Sequence, residues 1–164
     1  MIGKNFNSIA RVSQGLFLDF ADKVGKQIPQ LNLALDFLRP HIQALGLRIA
    51  RLSRSQVEIV LPNKFRNRGS RGMVLEGAVV MAAVEALKWL WDQNKPDRNF
   101  RQEISKVTFE GLKPLMGELR LRAELAELPR ETALLELANG NRSSMVMVVV
   151  VFDQDEQVVA RVEV

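Results

Sequence analysis

Between residues 64 and 77 the chain gathers side chains and backbone positions suited to holding and polarising an electron-rich group. Lys64, Arg66, Arg68 and Arg71 supply positive charge, Asn67 an amide, Gly72 and Gly77 close backbone approach, and Glu76 a carboxylate. Directly afterwards, residues 78–91 form an apolar run in which only Glu85 and Lys88 are charged. Such a run reads as one helix without a broad polar face, which other elements must enclose. The first turn of any helix leaves backbone N–H groups without internal partners, at the positive end of its dipole. A glycine-lined helix start therefore offers those donors to a carbonyl or an anion.

Each candidate has a chemical and a structural reading. Gly77 with the N–H of Ala78 could form an oxyanion hole, or Gly77 could simply let helix and sheet pack closely. Glu76 could act as a general base or orient water, or it could complement the dipole in the first turn. Glu85 is spaced i, i+3 from Lys88, and Lys88 i, i+4 from Asp92, as in a surface ion-pair stripe. Were Glu85 instead buried among Met81, Ala82, Ala83, Val84 and Leu87, desolvation would favour its neutral form and bring it toward acid–base work. Trp89, Trp91 and Phe100 either seal the far end of the helix or line a tunnel.

Composition excludes several classes. There is no cysteine, so disulfides and thiolate chemistry are out, and the single histidine, His41, makes a Ser-His-Asp triad or a multi-histidine metal site a poor fit. No metal is expected. The net charge of +4 is scattered along the chain and tyrosine is absent, which argues against a nucleic-acid surface. At 164 residues one domain is expected. Asp19, Asp22 and Lys23 interrupt the only early apolar cluster, and the 78–91 run is short for a membrane span, so a soluble cytoplasmic protein is the expectation.

The elements that must position these residues follow from periodicity. Residues 1–43 read as a helical arm, with Gly25 and Pro29 ending a first helix and Pro40 limiting a second over 31–38. The body, 44–164, opens with alternating strands through Leu47, Ile49, Val57, Ile59 and Leu61 around an Arg54-Ser55 turn. After the long helix, strands are expected at 103–109, 118–127, 132–138, 143–152 and 158–164, with hairpin turns at Asn139-Gly140-Asn141 and Asp153-Gln154-Asp155. The fully apolar stretch 145–152 should be covered on both faces, or on one face and by another subunit on the other.

A strand pair, a glycine-rich loop, one long buried helix and an antiparallel meander resemble the α+β hotdog fold, in which a sheet wraps one helix. The segment Gly72-Met73-Val74-Leu75-Glu76-Gly77-Ala78 resembles the helix-start motif of hotdog thioesterases, where glycine, two variable residues and His-Gly-Gly or Phe-Gly-Gly are typical. With Leu61-Pro62-Asn63 and the basic loop, the chain looks like the uncharacterised thioesterase-like (DUF4442-type) branch, over a pattern that starts near Leu31. The resemblance implies hydrolysis of an acyl thioester of coenzyme A or acyl carrier protein, with no cofactor beyond that carrier. It also implies a homodimer, or a tetramer, joined edge to edge. It casts Gly72, Gly77 and Ala78 at the carbonyl, Asn67 on water or substrate, Glu76 or Glu85 as base, and Lys64, Arg66, Arg68 and Arg71 on the phosphorylated carrier. The chain departs from the pattern at four places. Leu75 stands where the family has histidine, Glu76 where it has glycine and Gly69 where it has asparagine. Val84 stands where many members carry an acid, and Glu85 is one residue late, about 100° around a helix. A non-catalytic acyl- or lipid-binding protein on the same scaffold is the alternative.

Overall fold

The computed structural model describes residues 40–94 and 102–164. The expected helical arm before residue 40, and Phe100, lie outside them. The first described element, α1 (Pro40–Leu45), ends where Gly46 turns at φ 66. Pro40 thus opens the first described helix, where its fixed φ is compatible with the first turn; the helix expected over 31–38 lies outside the described residues.

Period-two spacing builds the next pair as expected. β1 (Arg48–Leu52) and β2 (Gln56–Leu61) run antiparallel, with a register shift between Ile49 and Arg51. Leu47, Ile49, Val57, Ile59 and Leu61 all point into the core. Two 3₁₀ turns, Phe65–Asn67 and Ser70–Gly72, lead into α2 (Glu76–Asp92), the long helix. Its Ala78, Val79, Ala82, Ala83, Ala86, Leu87, Trp89 and Leu90 are buried. Small alanines along this face let the helix lie close to the sheet, while Leu87 and Leu90 each contribute about 1.5–3 kcal/mol by burial.

β3 (Thr108–Gly111), β4 (Leu119–Glu124), β5 (Val148–Phe152) and β6 (Val158–Glu163) complete one six-stranded sheet in the order β1-β2-β4-β5-β6-β3. All its pairings are antiparallel. α2 packs across β2, β4 and β5. The α+β architecture of a sheet around one long helix is as expected. β4 shows the cleanest alternation: Leu119, Leu121 and Ala123 are buried while Arg120 and Glu124 face water. The outer face is held by charge pairs, Arg122 to Glu58 at 3.1 Å among them, with the Arg122 guanidinium 4.9 Å above the Phe152 ring.

Three local expectations are corrected. Residues 132–138 are not a strand: they belong to α3 (Glu127–Ala138), a helix set between β4 and β5. β4 and β5 pair directly with each other, so the intervening segment has no place in the ladder and satisfies its own backbone groups as a helix. Asn139-Gly140-Asn141 is accordingly a helix end and not a hairpin. Gly140 sits at φ 76, its N–H reaches Leu137 O at 3.0 Å, and the Asn141 N–H reaches Glu136 O at 3.0 Å. The strand expected over 103–109 begins only at Thr108, and the one over 143–152 at Val148. β5 is interior to the sheet, covered by the core at Val149 and Val151, with Val148 exposed on the other face. The Asp153 turn is as expected: its Oδ1 accepts the N–H groups of Asp155 and Gln157 at 3.0 and 2.9 Å.

Candidate functional site

The start of α2 has no side-chain cap. Leu75 occupies the N-cap position at φ −66, ψ 132, and an aliphatic side chain there cannot accept a hydrogen bond. The N–H groups of Ala78 and Val79 both turn back to Leu75 O, at 3.0 and 3.2 Å. Ala78, expected to donate to a ligand, is therefore already engaged. The donors left open are Glu76 and Gly77, whose N–H groups have no acceptor among the described residues. A Cβ placed on Gly77 or on Gly72 would meet nothing within 4 Å. Packing of helix on sheet does not explain Gly77, since no neighbour is close. The tip of α2 is thus an open, uncapped, positive helix end.

The loop before it is tied down by Asn67, which is fully buried. Its Nδ2 donates to Leu45 O and to Pro62 O, both at 2.8 Å, and its own carbonyl accepts the Leu75 N–H at 2.8 Å. The side chain of this one residue thereby joins the end of α1 to the end of β2, and its backbone carbonyl holds the N-cap of α2. Asn67 was expected to position water or substrate; enclosed on all sides, with both amide hydrogens committed, it positions the helix tip instead. Asn63 and Arg68 brace the same loop: Arg68 Nε donates to Asn63 O at 3.0 Å and Oδ1 at 2.6 Å, and Asn63 Nδ2 to Gly72 O at 3.3 Å. Val74 is anchored from the other side by Leu115 O at 2.8 Å.

Lys64, Arg66 and Arg71 are exposed and have no carboxylate partner among the described residues. Arg71 holds φ 69 and Gly72 follows at φ 73, so the loop turns through two left-handed residues just before the helix. An arginine there is strained where glycine would not be. Phe65, between Lys64 and Arg66, is 91% exposed. The four basic residues and the open tip thus share one loop–helix junction, with Arg68 spent on bracing and the other three free.

The two carboxylates differ sharply. Glu76 is exposed in the first turn of α2. Glu85 is 3% exposed, and its Oε1 accepts from Lys88 Nζ at 3.0 Å. Nine residues separate them, about 13 Å along the axis. Val84, seven residues past Gly77, lies within about 20° of it around the helix, so the face that carries the open tip continues through Met81 and Val84 and holds no acid. Gly69 and Leu75, the positions where the resemblance puts asparagine and histidine, touch each other: a Cβ at Gly69 would lie 2.9 Å from Leu75 Cδ2. An apolar contact replaces that polar pair. The signal for the free Gly77 donor was present in the chain as the missing Ser, Thr, Asp or Asn at position 75.

Among the described residues, no group of His, Asp and Glu could hold a metal ion, and no helix is long and apolar enough to cross a membrane.

No family model matches the chain, and no curated protein does. Solved structures match over most of its length. A Pseudomonas aeruginosa protein described as a probable thioesterase superposes with a TM-score of 0.72 at 20% identity, covering 82% of this chain and 91% of its own. The Escherichia coli PaaI protein, from the phenylacetic acid degradation operon, gives 0.59 at 14% identity, covering 85% and 91%. A mutant of a Staphylococcus aureus thioesterase enzyme gives 0.59 at 12% identity, covering 76% and 93%. At these identities the likeness establishes the fold. The chain has the α+β hotdog fold, a six-stranded antiparallel sheet packed on the central helix α2, shared with structures of thioesterases.

Proposed function

We propose that the chain is an acyl-thioester hydrolase of hotdog type, acting on an acyl group carried by coenzyme A or acyl carrier protein. The observation that carries this reading is the uncapped tip of α2, where the Glu76 and Gly77 N–H groups lack partners among the described residues and Gly77 leaves open space. A thioester carbonyl accepting those donors would have its developing negative charge stabilised by the helix dipole. Glu76 takes a proton from water as the water oxygen bonds the carbonyl carbon; the C–S bond then breaks and the thiolate takes up the proton. Glu85, the other base the resemblance implies, is enclosed beside Lys88 about 12 Å along the helix from Gly77 and does not reach that water. Lys64, Arg66 and Arg71 face the phosphates of the carrier, and Arg68 and Asn67 hold the loop that presents them.

The apolar face of α2 beyond Gly77, through Met81 and Val84, suits an acyl chain or a second copy of this helix. β3 forms a sheet edge, and pairing of two such edges would give the homodimer usual for this architecture. The absence of an acid at Val84, with the apolar Gly69–Leu75 contact, favours a second reading: an acyl-binding protein that does not turn its ligand over.

Release of free thiol from a panel of acyl-CoA chain lengths, measured beside equilibrium binding, tests both. Turnover that falls on the order of a hundredfold in Glu76→Ala, with binding retained, supports hydrolysis. Turnover unchanged in Glu76→Ala removes the assigned base. Saturable binding with no turnover selects the second reading.

A further inference from the structure

The far end of α2 meets α3 around a cavity of about 420 Å³, lined by Arg54, Gln93, Asn94, Arg130, Glu131 and Leu134. It stands at the opposite end of a 17-residue helix from Gly77, about 25 Å away, and has no part in the thioester reading. One wall is rigid. Asn94 Nδ2 donates to Leu90 O and to Arg54 O, both at 2.7 Å, stitching the β1–β2 turn to the end of α2. The N–H groups of Gln93 and Asn94 occupy the carbonyls of Trp89 and Trp91, so several carbonyls at this negative helix end are already taken.

Two donor groups in this lining are short of acceptors among the described residues. Gln93 Nε2 is buried and makes no hydrogen bond. The Arg130 side chain is only 22% exposed, yet its sole ionic neighbour among the described residues is Glu127, 3.6 Å away on a carboxylate 79% exposed to solvent. A guanidinium carries five N–H donors in a planar fork that matches a carboxylate or phosphate. A largely enclosed arginine held only by a loose, solvent-facing acid, beside an orphaned amide N–H, asks for an anionic acceptor from outside the chain.

We propose that this cavity is a binding site for a small oxyanion, a carboxylate or phosphate group, received by Arg130 and by the Gln93 amide, whose sealed Nε2 turns outward to donate to it, with Leu134 against the apolar remainder of the ligand. Glu131 lines the same space and opposes the anion, which keeps the site weak for a bare ion.

The test uses the whole chain, labelled with ¹⁵N, titrated separately with inorganic phosphate and with acetate while the Gln93 side-chain and Arg130 Nε–H signals are followed. The expected result is saturable shifts of both signals with one probe or both, dissociation constants on the order of millimolar, and the probe that saturates names the group. Arg130→Gln and Gln93→Met should each weaken binding about tenfold, and Glu131→Gln should tighten it severalfold. Circular dichroism checks that each variant is folded; should Arg130→Gln lose α3, Gln93→Met decides. Shifts that never saturate, or that persist unchanged in the folded variants, mean that water alone fills the cavity and overturn the proposal.

Discussion

The two ends of α2 satisfy their backbone in opposite ways. At the far end, Asn94 reaches back to Leu90 O and across to Arg54 O, and the N–H groups of Gln93 and Asn94 close the last turn on Trp89 and Trp91. The chain supplies nearly everything that end needs from its backbone. At the near end the Leu75 side chain offers no acceptor, and among the described residues Glu76 and Gly77 keep free N–H groups and Lys64, Arg66 and Arg71 of the preceding loop have no carboxylate partners. A helix end normally gains about 1 kcal/mol from a polar cap. Forgoing that gain at one end, while the opposite end is stitched shut, is the contrast on which the proposed thioester site rests.

This contrast can be broken at the loop that maintains it. Asn67→Ala removes two side-chain hydrogen bonds and leaves the Leu45 carbonyl without its donor, while Pro62 O keeps the Lys64 N–H, so it should cost about 2–3 kcal/mol in urea denaturation. It should also abolish thioester binding, because the tip of α2 is no longer held. Next in size, Leu75→Asp converts the near end into a capped one. The new carboxylate would accept the Gly77 or Ala78 N–H, raising stability by about 1 kcal/mol while lowering acyl-CoA turnover at least about tenfold. Stability and activity moving in opposite directions would separate a ligand site from a merely neglected cap; rising together, they would refute it.

Asn94→Ala makes the converse change at the far end. It should cost about 1 kcal/mol in thermal or urea unfolding and leave turnover untouched. Smallest is Arg71→Gly, which relieves left-handed strain at φ 69 and so should be neutral to slightly stabilising, by up to about 1 kcal/mol. The same change should weaken carrier binding in a manner that fades as salt is raised, measured by calorimetry at two ionic strengths.

What could be read along the chain was what neighbouring residues settle between themselves. The alternation of Leu119, Leu121 and Ala123 with Arg120, Arg122 and Glu124 is a local pattern, and a half-buried strand is its direct consequence. The uninterrupted apolar run of α2 and the Asp153 turn are of the same kind. The segment 132–138 was not, because Thr132, Leu134, Leu135 and Leu137 suit a strand as well as a helix. The direct pairing of β4 with β5 excluded it from the sheet, and Gly140 then closed the helix.

In the candidate site, the chain by itself determined that a glycine-lined, cation-flanked helix start follows a strand pair, because those residues are adjacent in sequence. Tertiary structure alone decided where the polar groups face. Asn67 turns inward because the carbonyls ending α1 and β2 converge there and need a donor. Glu85 is enclosed beside Lys88 while Val84 takes the face of the open tip, because the sheet closes over one side of α2. Which side a folded sheet covers depends on contacts between residues far apart along the chain, and no local spacing carries that information.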